Sequence, residues 1–293
     1  MRFMGVNGRV VDTAKAVVSA MDHGLLYGIG LFETFRTYHS NPFLLDRHLN
    51  RLAEGCSVLG INYKQDTEYM IKWITDLLTA NGLEDAYIRY TVTAGVEALG
   101  LPAGDYANRT ELLYMKPLPV FSPSLYTEGK ALQLLSTRRN TPETPVRLKS
   151  LHYMNNIMAK RELQSYPDAV LLGAEGFMLT ANDELAEGIV SNLFFMKDGR
   201  LFTPDVGTGI LPGITRGLVL ELADELGIPA EEGRYTWEEL LAADEIFTTG
   251  SVQELMPVTS LLQSGEQPVT VGNGLAGPFT ERFIKAYRQK AGV

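Results

Sequence analysis

Cysteine is almost absent. Cys56 stands alone, so no disulfide can close within the chain, which fits a reducing compartment. Basic residues are also scarce relative to acidic ones: 26 Lys and Arg against 35 Asp and Glu give a net charge of −9. That balance argues against a nucleic-acid binder and against docking on an anionic membrane surface. It leaves room for a small anionic ligand held by a few local cations. No apolar run approaches the ~18–20 residues that span a bilayer, and the first eight residues lack the apolar stretch of a secretion signal. A cytoplasmic protein is the expectation. The four histidines, His23, His39, His48 and His152, share no metal-ligand spacing, and no metal site is expected. Neither a P-loop nor a dinucleotide-binding glycine pattern is present.

What remains is an ordinary globular composition, 45% hydrophobic and 21% charged, over 293 residues. That length predicts two domains. Asn7-Gly8 between short apolar stretches predicts a hairpin. Strands are expected over 31–38 and 43–45. Asp46 should cap a helix that carries Leu49, Leu52, Ala53, Cys56 and Leu59 on one face and ends at Gly60. A second helix over 67–80 should bury Ile71, Ile74, Leu77 and Leu78, and strands should follow at 87–94 and 111–115. Pro117, Pro119 and Pro123 break the pattern. The division is therefore an α+β domain over 1–115, a linker over 116–129 and a larger domain over 130–293. In the second part, strands are expected at 131–136, 169–172 and 190–195, and helices at 155–166, 215–226 and 277–291. Thr236-Trp237-Glu238-Glu239 reads as a capping box.

Polar residues that could carry chemistry fall in an ordered series of stretches. His48-Leu49-Asn50-Arg51-Leu52 lies on the first helix, where periodicity alone puts Arg51 opposite the apolar stripe, in solvent. Next come Arg147-Leu148-Lys149-Ser150-Leu151-His152-Tyr153, then Ala186-Glu187-Gly188-Ile189-Val190-Ser191-Asn192-Leu193-Phe194. Gly213-Ile214-Thr215 opens a helix, and Phe247-Thr248-Thr249-Gly250-Ser251 precedes Met256-Pro257-Val258.

In this order the stretches resemble the fold-type IV pyridoxal phosphate enzymes, the class IV aminotransferase family, over nearly the whole chain. The resemblance implies a mixed α+β, D-amino-acid-aminotransferase-like fold, with a small N-terminal domain and a larger, β-barrel-like C-terminal domain with helices. It implies pyridoxal 5'-phosphate as cofactor and a homodimer. Lys149 matches the lysine that attaches the cofactor, and Glu187 the glutamate that holds the pyridine nitrogen. Arg51 matches the phosphate-binding arginine, whose planar fork suits a dianion. Ile214, Thr215 and Ser251 match phosphate contacts at a helix start and a loop. The amides of Ser251 and Val252 match positions that can also face a substrate carboxylate. Tyr27, Phe32 and Arg89 align with residues on the substrate side in relatives.

The family contains branched-chain and D-amino-acid aminotransferases and aminodeoxychorismate lyases. After the lysine, branched-chain aminotransferases have a Gly-Gly-Asn-Tyr type segment, where this chain has Ser150-Leu151-His152-Tyr153. The Arg-x-His carboxylate trap of D-amino-acid aminotransferases is missing from residues 94–100. The stretches at 21–36, 138–142 and 233–238 look most like the lyases. The resemblance therefore implies a lyase acting on a small molecule, with an aminotransferase as the alternative.

Overall fold

The computed structural model describes residues 1–293, which form two compact units. The first comprises Met1–Pro119 together with Leu148–His152; the second comprises Val120–Arg147 and Tyr153–Val293. The short segment that carries Lys149 thus folds with the N-terminal residues, which no single linear boundary describes.

The first unit opens with the expected hairpin. β1 (Phe3–Val6) and β2 (Arg9–Asp12) pair antiparallel across Asn7 and Gly8, both at positive φ, as a tight right-twisted turn requires. After a single helical turn, α1 (His23–Leu26), β3 (Gly30–Tyr38) turns back at His39 and Ser40 into a two-residue β4 (Asn41–Pro42). The partner strand expected at 43–45 is therefore shorter and earlier. The helix α2 (Leu45–Val58) follows from a left-handed Leu44, not from an Asp46 cap. Asp46 lies inside the helix and accepts a 2.6 Å bond from Thr67 Oγ1. In α3 (Thr67–Asn81) the buried stripe is Met70, Trp73, Ile74, Leu77 and Leu78, and Ile71 is exposed. Ile74, Leu77 and Leu78 are buried as expected, while Met70 and Trp73 take the place of Ile71 on the first turns of the stripe. The tryptophan lies so close to Gly5 that a Cβ there would stand 2.5 Å from its ring. With β5 (Ala86–Thr93) and β6 (Thr110–Pro117) the sheet order is β2-β1-β6-β5-β3-β4. Leu31 and Phe35 of β3 join Leu49, Leu52 and Cys56 of α2 in one core.

The second unit is built on a nine-stranded mixed sheet. After α4 (Leu125–Glu128), β7 (Lys130–Leu134) leads through an excursion to α5 (Met154–Leu163) and α6 (Pro167–Leu171). Residues 169–172, expected as a strand, are in or just beyond α6; Pro167 at its start favours the helix, and Ala169 is its buried contact. β8 (Glu175–Leu179), β9 (Leu185–Gly188), β10 (Asn192–Lys197) and β11 (Arg200–Pro204) precede α7 (Ile214–Glu225). β12 (Ala230–Gly233), α8 (Trp237–Leu241), β13 (Glu245–Gly250), β14 (Glu254–Leu262), β15 (Val269–Thr270) and α9 (Pro278–Ala291) complete it. The strands run β12-β11-β10-β13-β14-β7-β8-β9, with β15 on β14. The capping box at Thr236 and Glu239 forms as the sequence predicts.

Alternation along the strands assigns the two faces. Leu193, Phe195, Ile246 and Val258 share one core with Phe177 and Trp237. Phe194 and Phe247, directly opposed in register, stack at 5.3 Å on the other face, where Phe283 of α9 reaches Phe247 at 5.6 Å.

Gly95 gives a test of backbone fit. It has φ +76°, and an added Cβ would stand 1.7 Å from the Asn108 carbonyl oxygen, whereas Gly82, at φ +64°, has nothing within 4 Å. Gly82→Ala should cost about 1–2 kcal/mol, the left-handed penalty alone. Gly95→Ala should cost at least about 3 kcal/mol, because backbone must also move. Urea unfolding of the two variants measures the difference.

Candidate active site

In the first unit, the period of β3 puts Glu33 on the same face as Leu31 and Phe35, the face that α2 covers. A carboxylate there, 1% exposed, requires partners. The helix supplies two at i, i+3. His48 Nδ1 lies 2.6 Å from Glu33 Oε2, and Arg51 donates through Nε to Oε1 at 2.8 Å and through Nη2 to Oε2 at 2.6 Å. Arg51 is therefore not the solvated residue that periodicity predicts; its side chain is 15% exposed and clamped in a two-pronged pair. Burial alone would push the Glu33 carboxyl up, but the Arg51 guanidinium and His48 outweigh it and hold it down at about 2. His48 is shifted down chiefly by its burial, against the pull of Glu33.

The opposite face of β3 carries Phe32. The Arg89 guanidinium lies 3.6 Å from the centre of its ring and the Lys149 amine 4.7 Å from it. Lys149 is held from the backbone, since its carbonyl accepts from Phe32 N at 2.9 Å and Leu151 N donates to Gly30 O at 3.0 Å. The structure thus brings Lys149, Phe32 and Arg89 together. Tyr27 stands apart from the ring of Phe32, with its hydroxyl accepting from Gly100 N at 3.0 Å.

In the second unit, Glu187 on β9 is 5% exposed. Its Oε1 accepts from Arg139 Nε at 2.6 Å, and its Oε2 accepts from Leu211 N at 3.0 Å and Asn192 Nδ2 at 3.3 Å. Asn192 also donates to the Leu211 carbonyl at 2.9 Å. This bond ties the Glu187 carboxylate to the turn that opens α7. Gly213 precedes that helix with no side-chain cap, and a Cβ there would stand 2.0 Å from Asn192 Oδ1, so only glycine fits. Thr215 is buried, with its hydroxyl 3.5 Å from that of Ser251, and Thr249 Oγ1 nearby in sequence is buried without a partner. Val252 follows Ser251 in the turn between β13 and β14. An uncapped helix start beside two hydroxyls, linked through Asn192 to a buried carboxylate, fits a group with phosphate at one end and a ring nitrogen at the other. A separate cavity of about 510 Å³ in this unit is walled by Lys130, Glu175, Tyr153 and Gln253 and does not include Glu187, Thr215 or Ser251.

The amino-transferase class IV family model matches residues 30–261. The chain belongs to the class IV aminotransferase family. It is 43% identical over 269 residues to the aminodeoxychorismate lyase of Bacillus subtilis strain 168, covering 89% of each chain. It is 31% identical over 298 residues to the branched-chain-amino-acid aminotransferase of Escherichia coli strain K12, covering 97% of this chain and 91% of the other. Its structure resembles that of the branched-chain amino acid aminotransferase of T.th. complexed with N-(5'-phosphopyridoxyl)-L-glutamate, with a TM-score of 0.83, 28% identity, and 99% and 94% of the two chains covered. The protein is a pyridoxal phosphate enzyme with the mixed α+β fold of this family.

Glu33, His48, Asn192 and Arg139 went unassigned in the sequence. One signal was available for Glu33: a lone acid at the core parity of an apolar strand, followed by His and Arg three apart on the next helix. Arg139 offered no such signal, because its partner is 48 residues away.

The depressed Glu33 carboxyl has a sign that can be measured. Its contribution to stability is present above the ordinary carboxylate value of 4.5 and is lost as pH falls towards about 2. Glu33→Gln should cost about 2–4 kcal/mol at neutral pH by leaving Arg51 without its carboxylate. In urea titrations the gap between wild type and variant should be constant above pH 4.5 and close below it.

Proposed function

We propose that the protein is a 4-amino-4-deoxychorismate lyase, converting 4-amino-4-deoxychorismate to p-aminobenzoate and pyruvate as a step in folate biosynthesis. The segment just after Lys149 carries the reading. Where the aminotransferase segment has Gly-Gly-Asn, this chain has Ser150-Leu151-His152, and Leu151 and His152 lie against the Gly28–Gly30 turn. A Cβ on Gly28 would stand 2.6 Å from the His152 ring, and one on Gly30 2.8 Å from Leu151. Leu151 thus fills space that a glycine leaves open and His152 puts a ring where the other pattern has an asparagine, and the 43% identity to a lyase supports the same reading.

In this reading Glu187 holds the pyridine nitrogen. Arg51, Thr215, Ser251 and the amides at Ile214 hold the phosphate. When bound, pyridoxal phosphate supplies an electron sink for the carbon that bears the substrate amine. Lys149 would attach the cofactor, and its amine, once free, would take the proton from that carbon. Arg89, stacked on Phe32 beside the Lys149 amine, offers a cation to a carboxylate-bearing substrate. Tyr27 and Val252 complete the substrate side. The bond between the ring carbon and the ether oxygen breaks, the oxygen leaves with the three-carbon fragment, its methylene gains a proton to give pyruvate, and loss of the proton from the amine-bearing carbon leaves the ring aromatic. Atoms balance without water or an oxidant.

The reading includes a cytoplasmic homodimer. No helix is long and apolar enough to cross a membrane. Met154, Ile157 and Met158 form an uncovered apolar stripe on α5, at 71%, 52% and 50% exposure, which supports a second copy covering it. Light scattering should give twice the chain mass.

Incubation of the holoenzyme with 4-amino-4-deoxychorismate should yield pyruvate and p-aminobenzoate in equal amounts, and Lys149→Ala should lower turnover by about 10³-fold or more. No aromatic product, together with conversion of the bound cofactor to its amine form by L-branched-chain or D-amino acids, would replace the lyase by an aminotransferase.

A further inference from the structure

A carboxylate offers about four acceptor sites, and three on Glu187 are taken: one on Oε1 by Arg139, two on Oε2 by Leu211 N and Asn192. One site on Oε1 remains, so the direction of that site depends on where Arg139 holds the group. Arg139 is itself fixed from behind. Its Nη1 donates to Asn155 Oδ1 at 2.8 Å, with Asn140 Oδ1 at 3.3 Å and Asn156 Oδ1 at 3.4 Å. Its backbone N donates to Leu179 O at 2.8 Å. Asn155 and Asn156 are in turn tied to backbone, through Arg138 O at 2.8 Å and Ile189 O at 2.6 Å. The guanidinium is 7% exposed, so water does not compete for these bonds.

We propose that Arg139 is the positioning residue for Glu187, turning the one unclaimed acceptor site of the carboxylate to the ring nitrogen of the cofactor. The inference rests on the reading of Glu187 given above. The first turn of α5 reaches the ring nitrogen through this chain, by way of Asn155, Arg139 and Glu187. Neither Arg139 nor Asn155 touches the reacting atoms. Their effect is on one bond of the cofactor and leaves its phosphate contacts alone.

The test compares two cofactors that differ only at that bond. The apoenzyme is titrated with pyridoxal phosphate and with 1-deazapyridoxal phosphate, in which a C–H replaces the ring nitrogen, and binding is followed by tryptophan fluorescence. A charge-assisted bond in a buried site gives wild type about a 10–100-fold preference for the natural cofactor. Glu187→Gln should abolish most of it. Arg139→Met should reduce it to within about threefold of the Glu187→Gln value, and Arg139→Lys should retain an intermediate preference. If Arg139→Met does not fold, Asn155→Ala, which loosens the guanidinium from behind, should still lower the preference by about two- to threefold. Equal weakening of both cofactors in the Arg139 variants, with the preference intact, would overturn the proposal and leave Arg139 a purely structural residue. No preference in wild type would remove the role of Glu187 itself, and the proposal with it.

Discussion

The buried carboxylates of Glu33 and Glu187 are each met by an arginine and further donors, and the polar organisation inside each unit depends on these two pairings. Glu33 and Glu187 are 1% and 5% exposed. Neither could remain charged in an apolar interior alone, since the desolvation cost is several kcal/mol for each ion. Each is answered by a guanidinium at 2.6 Å and by at least one further hydrogen-bonding partner. In one unit the pair orients the arginine, in the other the acid.

The glycines serve the same end. Gly213 leaves the start of α7 uncapped and lets Asn192 pass close beneath it, so one asparagine spans the distance between a helix start and Glu187. A helix start with no side-chain cap can serve as an anion site, and two hydroxyls at 3.5 Å from each other extend it. Pyridoxal phosphate chemistry requires this division, with a dianion anchored at one end and a ring nitrogen at the other, so that the reacting carbon is held still.

Elements with strong periodicity or turn chemistry were legible in the sequence. Asn7-Gly8, the capping box at Thr236 and the long helices need only local forces. The misreadings fall where a neighbouring residue, near or far along the chain, outweighs the pattern of the segment itself. Residues 169–172 are apolar enough for a strand, yet Pro167 starts a helical turn there. Asp46 has the chemistry of a cap, but Leu44 in a left-handed conformation starts the helix two residues earlier. Ile71 has the spacing of the buried stripe of α3, yet Met70 and Trp73 are buried and Ile71 faces water.

The sequence by itself determined the family and the cofactor, because several ordered stretches around Lys149, Glu187 and Gly213 survive any local rearrangement. It also determined the candidate polar residues as a set. Only the tertiary structure decided their partners. That Arg51 is clamped by Glu33, that Phe32 carries both Arg89 and Lys149, and that Arg139 meets Glu187 across 48 residues of chain are facts of register and packing. Side-chain pairing depends on which face of a strand looks at which helix. A single sequence carries the period of each element but not the angle at which two elements meet.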